Sequence, residues 1–219
     1  MTSENSRQLV GIACCLLALA GCNRPAAQTS AQASSEATAN QGAAHEAGAS
    51  ESADGIELSI VSFDEINERV ARHRGKVVVM DAWSTSCPPC LAEFHNLVEL
   101  DRKYGREQLA CISLSFDFEG LGSPEEQRAP VLKFLRSQQA TFENLLSNEE
   151  SDVLYRKFKL AAIPAVFVYD RSGKLRKRFD NEHAKTKADA FTYAQVGELI
   201  AQLLAEPAPA GAEQVSRAQ

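Results

Sequence analysis

Two apolar runs in the middle of the chain dominate the pattern of predicted elements. Val77–Trp83 and residues 109–116 are almost continuously apolar, which is typical of strands buried on both faces of a sheet. Before the first run, Ser62 and Glu65 have the spacing of a capping box. They predict a helix that starts at Ser62 and is closed by Gly75.

Later segments continue the alternation of helix and strand. Ala165–Tyr169 and residues 174–179 have strand character and are expected to pair across a turn at Gly173. Pro130 is expected to break or restart a helix that opens at Ser123-Pro124. Strands that alternate with helices in this way indicate an α/β sheet sandwiched between helices. The apolar positions at helical spacing span residues 91–100, 131–135, 153–160 and 196–204.

The two ends of the chain differ in composition from its middle. An apolar stretch over residues 9–20 is shorter than the roughly 20 residues of a comfortable transmembrane helix, so residues 1–21 are interpreted as an export signal. Residues 22–55 are rich in Ala, Ser, Gln, Thr and Glu and are predicted to be a disordered tether. One domain is expected over residues 56–206, followed by a disordered tail, 207–219.

The signal ends in Leu19-Ala20-Gly21-Cys22. This tetrapeptide resembles the bacterial lipobox, and the resemblance implies cleavage before Cys22 and a lipid on its thiol. An uncleaved anchor is the alternative, because the basic region before the apolar stretch is weak. Either route attaches the chain to a membrane on its extracytoplasmic, periplasmic side.

Charge and cysteine usage narrow the function. The formal net charge is −6 and no basic stripe is present, which argues against nucleic-acid binding. Beyond Cys22, the chain carries Cys87, Cys90 and Cys111. Cys111 lies in the second apolar run, which predicts a buried, inert thiol, with a second redox partner as the alternative.

Cys87-Pro88-Pro89-Cys90 directly follows the first predicted strand and opens a helix. A thiolate at a helix N-terminus is stabilised by free N–H groups, so its pKa can fall to roughly 3.5–7.5. Cys87 is therefore the predicted nucleophile, and Cys90, one turn further, the thiol that resolves a mixed disulfide. A zinc site or a structural disulfide are the alternatives, but no second Cys or His pair stands at metal-ligand spacing.

The segment from Trp83 to Cys90, together with Ile163-Pro164 further on, resembles the thioredoxin superfamily, in particular the TlpA/ResA-like membrane-anchored thiol-disulfide oxidoreductases. The resemblance implies a thioredoxin-like fold, α/β with a central mixed sheet, a redox disulfide between the two cysteines, and a cis proline facing them. Ser86 and Ala162 depart from the residues that many relatives carry there, Trp and Gly. The implied substrate-binding residues are Trp83, Pro88, Pro89, Ile163 and Pro164.

Two carboxyl groups match acids of this superfamily. Asp81 lies six residues before Cys87 in an apolar strand, where burial would raise its pKa and let it accept the proton of Cys90. The alternative is a hydrogen-bonded core aspartate. Glu93 matches the acid typical of ResA-like proteins, and its alternative is a carboxylate favoured by the helix dipole.

The resemblance implies a reductase that acts on disulfides or dithiols of protein substrates, such as the Cys-x-x-Cys-His segments of apocytochromes c. A membrane thiol carrier would supply its electrons, and neither a cofactor nor a metal is expected. A disulfide-forming oxidant or isomerase is the nearest alternative. A non-catalytic lipoprotein, including a Sco-like copper protein that uses His183 with the two cysteines, is another, and peroxide reduction is weaker.

Overall fold

A six-stranded mixed sheet forms the centre of the fold in the computed structural model, which describes residues 55–207. The strands are β1 (Ser59–Val61), β2 (Val77–Trp83), β3 (Leu109–Ser115), β4 (Glu143–Ser147), β5 (Ala165–Tyr169) and β6 (Leu175–Phe179). Their order across the sheet is β1-β4-β3-β2-β5-β6. The first four of these are parallel, whereas β5 runs antiparallel to β2 and β6. The expected thioredoxin-like α/β fold with a mixed sheet is thus confirmed.

Among the described residues, six helices cover the sheet, and a 3₁₀ turn at Lys187–Asp189 precedes the last of them. The helices are α1 (Phe63–Arg72), α2 (Pro88–Glu93), α3 (His95–Tyr104), α4 (Pro124–Gln138), α5 (Ser151–Phe158) and α6 (Tyr193–Ala205). The predicted capping box opens α1, since the Ser62 hydroxyl accepts from the Glu65 amide while the Glu65 carboxylate accepts from the Ser62 amide. Within residues 55–207, no helix combines the length and apolar character needed to cross a membrane.

The central strand β2 divides the core into two layers. All seven of its residues are buried, and their side chains alternate between the two faces of the sheet. Val77, Val79 and Trp83 pack with buried side chains of α2, α3, α4 and α6; we call this side the dithiol face. Met80 and its neighbours on the other side pack against α1 and α5.

Pro130 does not break α4, which corrects the sequence prediction. The helix is continuous from Pro124 to Gln138 with Pro130 inside it. Pro130 lacks the N–H that would bond the Glu126 carbonyl, but both residues are exposed, so water can satisfy that carbonyl. The buried side chains of Val131 and Leu135 hold the helix on the dithiol face.

Two further differences concern short or interrupted elements. The predicted helix after Cys90 is split at Phe94, where the Leu97 amide bonds the Phe94 carbonyl in a 3₁₀-type turn. Strands β1 and β4 were not predicted. In β4, Asn144 and Ser147 are buried polar residues, so the segment lacks the continuous apolar run that predicts a buried strand. Asn144 is held by hydrogen bonds to Ser113 and to nearby carbonyls.

The predicted signal 1–21 and Cys22 lie outside the described residues, as do nearly all of the predicted tether, 22–55, and tail, 207–219. Those boundaries therefore stay predictions.

Candidate active site

A disulfide between Cys87 and Cys90 lies where β2 passes into α2. The two sulfur atoms are 2.03 Å apart, and Cys87 is the N-cap of α2, with Pro88 and Pro89 as its first two residues. Those positions need no intrahelical N–H partner, so the prolines fit there without loss of a hydrogen bond. Both prolines are exposed, so they flank the disulfide at the protein surface.

The two sulfur-bearing residues differ in exposure. Cys87 is partly exposed, whereas Cys90 is only 2 % exposed. The Cys90 amide points at the Cys87 sulfur, 3.3 Å away. A negative charge that developed on Cys87 would therefore be met by a backbone N–H and by the positive end of the helix.

The Ile163–Pro164 segment faces the same sulfur. The peptide bond between these residues is cis, and the Ile163 carbonyl oxygen lies 3.9 Å from the Cys87 sulfur. Both residues are partly exposed and directly precede β5. The sheet pairing of β5 with β2 thus brings two segments that are far apart in sequence to one surface.

The segment before the disulfide, residues 84–86, is held by a carboxylate that sequence reasoning missed. One oxygen of Asp117 accepts from the Thr85 amide at 2.9 Å, from the Ser84 hydroxyl at 3.1 Å, and from the Thr85 hydroxyl. Its other oxygen accepts from the Ser115 hydroxyl at 2.5 Å. The Ser84 hydroxyl is in turn hydrogen bonded to the Ser86 hydroxyl, and its oxygen accepts from the Ser86 amide. Asp117 therefore ties the end of β3 to the loop that carries Cys87.

Asp81 lies inside the core on the dithiol face. It is 3 % exposed, and one carboxyl oxygen, Oδ2, accepts from the Tyr193 hydroxyl at 2.6 Å. The other, Oδ1, is buried and has no hydrogen-bond partner among the described residues. Burial raises the pKa of Asp81 to about 7, while the hydrogen bond from Tyr193 acts in the opposite direction.

Glu93 occupies a different setting from Asp81. It is exposed on α2, and its carboxylate accepts from the Asn96 side chain at 2.9 Å. Its charge makes a small contribution to raising the pKa of Tyr193, the first residue of α6. A role for Glu93 in tuning the dithiol stays a prediction.

Trp83 does not occupy the surface that its predicted role in substrate binding requires. Its side chain has no exposed area and packs edge-on against Phe94 and at a tilt against Phe134, with ring centroids 5.0 and 4.8 Å away. It supports α2 from below. We therefore leave Trp83 out of the proposed substrate surface.

The remaining thiol and histidine lie apart from this arrangement. Cys111 is buried, as predicted, with its sulfur 3.9 Å from the Leu97 carbonyl, and burial raises the pKa of its thiol. His183 is exposed between β6 and α6. In the part of the chain that the structure describes, no three His, Cys, Asp or Glu side chains cluster in a way that could hold a metal ion.

A dithiol motif at a helix N-terminus, a cis proline against it, and this sheet order define a thioredoxin-like dithiol protein. The chain belongs to the AhpC/TSA family, whose model matches residues 51–178.

Curated relatives agree with this class. The thiol-disulfide oxidoreductase ResA of Geobacillus thermodenitrificans is 26 % identical over 109 residues, which are 50 % of this chain and 57 % of the relative. ResA of Bacillus cereus is 23 % identical over 118 residues, 54 % of this chain and 62 % of the relative. The chain thus spans about three fifths of the length of these relatives.

Solved structures with similar folds have lower sequence identity to this chain than the curated relatives. A thiol-disulfide isomerase from Corynebacterium glutamicum has a TM-score of 0.49 and 20 % identity, over 69 % of this chain and 96 % of that one. A secreted disulfide oxidoreductase of Mycobacterium tuberculosis has a TM-score of 0.46 and 19 % identity, over 61 % and 86 %.

Proposed function

We propose that this protein is a thiol-disulfide oxidoreductase that reduces disulfides in protein substrates. The observation that carries the proposal is the Cys87–Cys90 disulfide at the start of α2, with one sulfur-bearing residue partly exposed and the other buried. Such an arrangement separates the two half-reactions of disulfide exchange. The names of the curated relatives support the same chemistry.

The first half-reaction belongs to Cys87. In the reduced protein its thiolate attacks a substrate disulfide, forms a mixed disulfide and releases one substrate thiolate. The Cys90 amide and the helix N-terminus favour that thiolate. Iodoacetamide should label Cys87 of the reduced protein faster than Cys90 near neutral pH, and faster labelling of Cys90 would contradict this order.

The second half-reaction belongs to Cys90. Its sulfur attacks Cys87, the bond between Cys87 and the substrate breaks, and the second substrate thiolate leaves while the Cys87–Cys90 disulfide forms. Asp81 accepts the Cys90 proton, since burial raises the pKa of Asp81 to about 7, which suits proton exchange near neutral pH.

The substrate surface consists of Pro88 and Pro89 on one side of the disulfide and of Ile163 and Pro164 on the other. The exposure of these residues and the position of the Ile163 carbonyl beside Cys87 support this assignment. An extended substrate segment next to Ile163 could pair with its backbone.

The reducing direction rests on the resemblance to TlpA/ResA-like proteins. A membrane thiol carrier would return two electrons to Cys87 and Cys90 after each turnover, and Cys-x-x-Cys-His segments of apocytochromes c are candidate substrates. Because an exported compartment usually oxidises thiols, a reductase there needs such an outside supply.

Reduction of insulin by dithiothreitol tests the exchange activity. Catalysis by the wild type and its loss in Cys87→Ser are expected, while an inactive wild type would contradict the proposed function. Equilibration with glutathione buffers tests the direction. A reduction potential below about −200 mV supports a reductase, and one near about −120 mV would make the protein an oxidant.

Membrane attachment through Cys22 is part of the same proposal. Cys22 lies outside the described residues, and the support is the sequence Leu19-Ala20-Gly21-Cys22 after an apolar stretch. Mass spectrometry of the protein extracted from membranes should find an N-terminal, lipid-bearing Cys22. An unmodified Cys22 thiol, or retention of residues 1–21, would refute the assignment.

A further inference from the structure

The hydrogen bonding of Asp81 is incomplete in a way that suggests a role for its neighbour. Oδ2 accepts a 2.6 Å hydrogen bond from Tyr193, while the buried Oδ1 has no partner in residues 55–207. Buried polar atoms are nearly always satisfied, so an unpaired oxygen at this place needs a reason. We propose that Tyr193 is a positioning residue that fixes the Asp81 carboxyl through Oδ2 and leaves Oδ1 as the acceptor of the Cys90 proton. This inference rests on the proposed function.

The fold holds Tyr193 firmly in this position. Tyr193 is the first residue of α6, and Thr192 before it forms a capping box with Gln195, each side chain bonding the other residue's amide. The buried side chains of Val196 and Ile200 anchor the helix on the dithiol face. The Tyr193 hydroxyl that contacts Asp81 is therefore held in place by a helix that is capped and packed against the core.

Tyrosine also has the chemistry that this role requires. Burial and the nearby charge of Asp81 raise the pKa of Tyr193 well above its ordinary value, so the hydroxyl remains a donor while Asp81 titrates. A neutral donor stabilises the ionised carboxylate without bringing a buried positive charge that would hold it permanently ionised. Asp81 can then both accept and release a proton.

The step needs no reactant other than this protein and its substrate. The Cys90 S–H bond breaks and its proton goes to Oδ1 of Asp81. The resulting thiolate forms a bond with the Cys87 sulfur, and the electron pair of the mixed-disulfide bond leaves with the substrate thiolate. Asp81 then releases the proton, so the substrate disulfide has gained two electrons and the dithiol has lost them.

The ionisable groups around the carboxyl come from several elements. Tyr193 from α6 contacts it directly, and the charge of Asp81 contributes to raising the pKa of Cys111 on β3. Cys90 from α2 lies in the core of the same face, and Glu93 from α2 acts on Tyr193. On β5 the paired residue is Val166, which carries no charge.

The test is the reaction of the reduced protein with Ellman's reagent, followed by absorbance across pH 5 to 9. The first release of thionitrobenzoate reports attack by Cys87, and the second reports displacement by Cys90. Because the hydroxyl favours ionised Asp81, Tyr193→Phe should move the midpoint of the second phase upward by about one pH unit. The first phase should keep its wild-type profile.

Tyr104→Phe is the matched control. Tyr104 packs against the same face and donates its hydroxyl to the Gly197 carbonyl at 3.4 Å, not to Asp81. It should leave both phases unchanged. In an Asp81→Asn background, Tyr193→Phe should no longer shift the midpoint. An unshifted second phase in Tyr193→Phe itself overturns the inference.

A direct titration keeps the inference testable if Tyr193→Phe fails to fold. The carboxyl carbon of Asp81 and the phenol carbon of Tyr193 should follow a common midpoint when the wild-type protein is titrated by ¹³C NMR. Independent behaviour of the two signals overturns the inference. An inactive wild type in the insulin assay would contradict the proposed function, whereas these titrations would still report on the pair.

Discussion

Two aspartates, one within β2 and one just after β3, have opposite surroundings. Asp117, just after β3, is partly exposed and accepts hydrogen bonds from the backbone of Thr85 and from three hydroxyls. Asp81, within β2, is buried and accepts a hydrogen bond from Tyr193, and its other oxygen has no partner among residues 55–207. A fully bonded carboxylate fixes structure, whereas an underbonded buried one keeps proton affinity near neutral pH. Asp117 therefore holds the loop that precedes Cys87, whereas the proposed proton transfer from Cys90 depends on the underbonded Asp81.

The largest expected effects come from replacing each cysteine of the disulfide in turn. Cys87→Ser should abolish disulfide reduction because no nucleophile reaches the substrate. Cys90→Ser should still attack but remain trapped as a mixed disulfide, which mass spectrometry of the intact protein would detect. Cys111→Ala is the control and should turn over normally. Trapping by Cys87→Ser instead of Cys90→Ser would reverse the assignment.

Asp81→Asn should slow the second phase with Ellman's reagent by about 100- to 1000-fold near neutral pH, since a positioned proton acceptor typically contributes that much. The first phase should change less than about twofold. Asp117→Asn serves as the comparison and should not remove the pH dependence of the second phase. Equal slowing of both phases by Asp81→Asn would indicate a structural role.

The stability of the oxidised protein should depend on pH through Asp81. Its pKa in the folded protein is about 7, above the unfolded value of about 3.9. Between these values the folded state binds the extra proton, so the free energy of unfolding should fall as pH rises from about 4 to 7, by about 3 to 4 kcal/mol. Urea denaturation of wild type and Asp81→Asn measures this. An identical pH dependence in both proteins would exclude Asp81 as its source.

Asp117→Ala should lower the free energy of unfolding by about 1 to 2 kcal/mol, because its hydroxyl and amide donors lose a charged acceptor. Hydrogen exchange at the Thr85 amide should become faster, while exchange within α6 should not change. Denaturant titration and exchange measured on the oxidised protein check both effects. Unchanged protection of Thr85 would mean that Asp117 does not hold this loop.

Glu93→Gln should have the smallest effect, below about threefold on either phase, because the carboxylate is exposed and bonded to Asn96 and exposed charges are screened by water. The Ellman assay measures it beside Asp81→Asn. If Glu93→Gln slowed the second phase as much as Asp81→Asn, the proton acceptor would be Glu93 on the surface of α2.

Parts of the site that depend on a local motif could be predicted from the sequence. One short stretch of about fifteen consecutive residues contains the buried strand that carries Asp81, the Cys87–Cys90 motif and the start of the helix that follows. Hydrophobic pattern and helix-capping rules apply over such short stretches and therefore predict these features. The pairing of Ile163-Pro164 with the cysteines came from family resemblance, because no local rule connects segments 76 residues apart.

The chain by itself therefore determined the chemistry: two thiols on a helix start, a carboxyl in an apolar strand, and an alternation of strands and helices. Only the tertiary structure decided which groups hold that chemistry in place. Tyr193 meets Asp81 across 112 residues and Asp117 meets Thr85 across 32, and it is the same packing that buries Trp83. Such contacts arise from sheet order and helix packing, which bring side chains together with no mark in the local sequence.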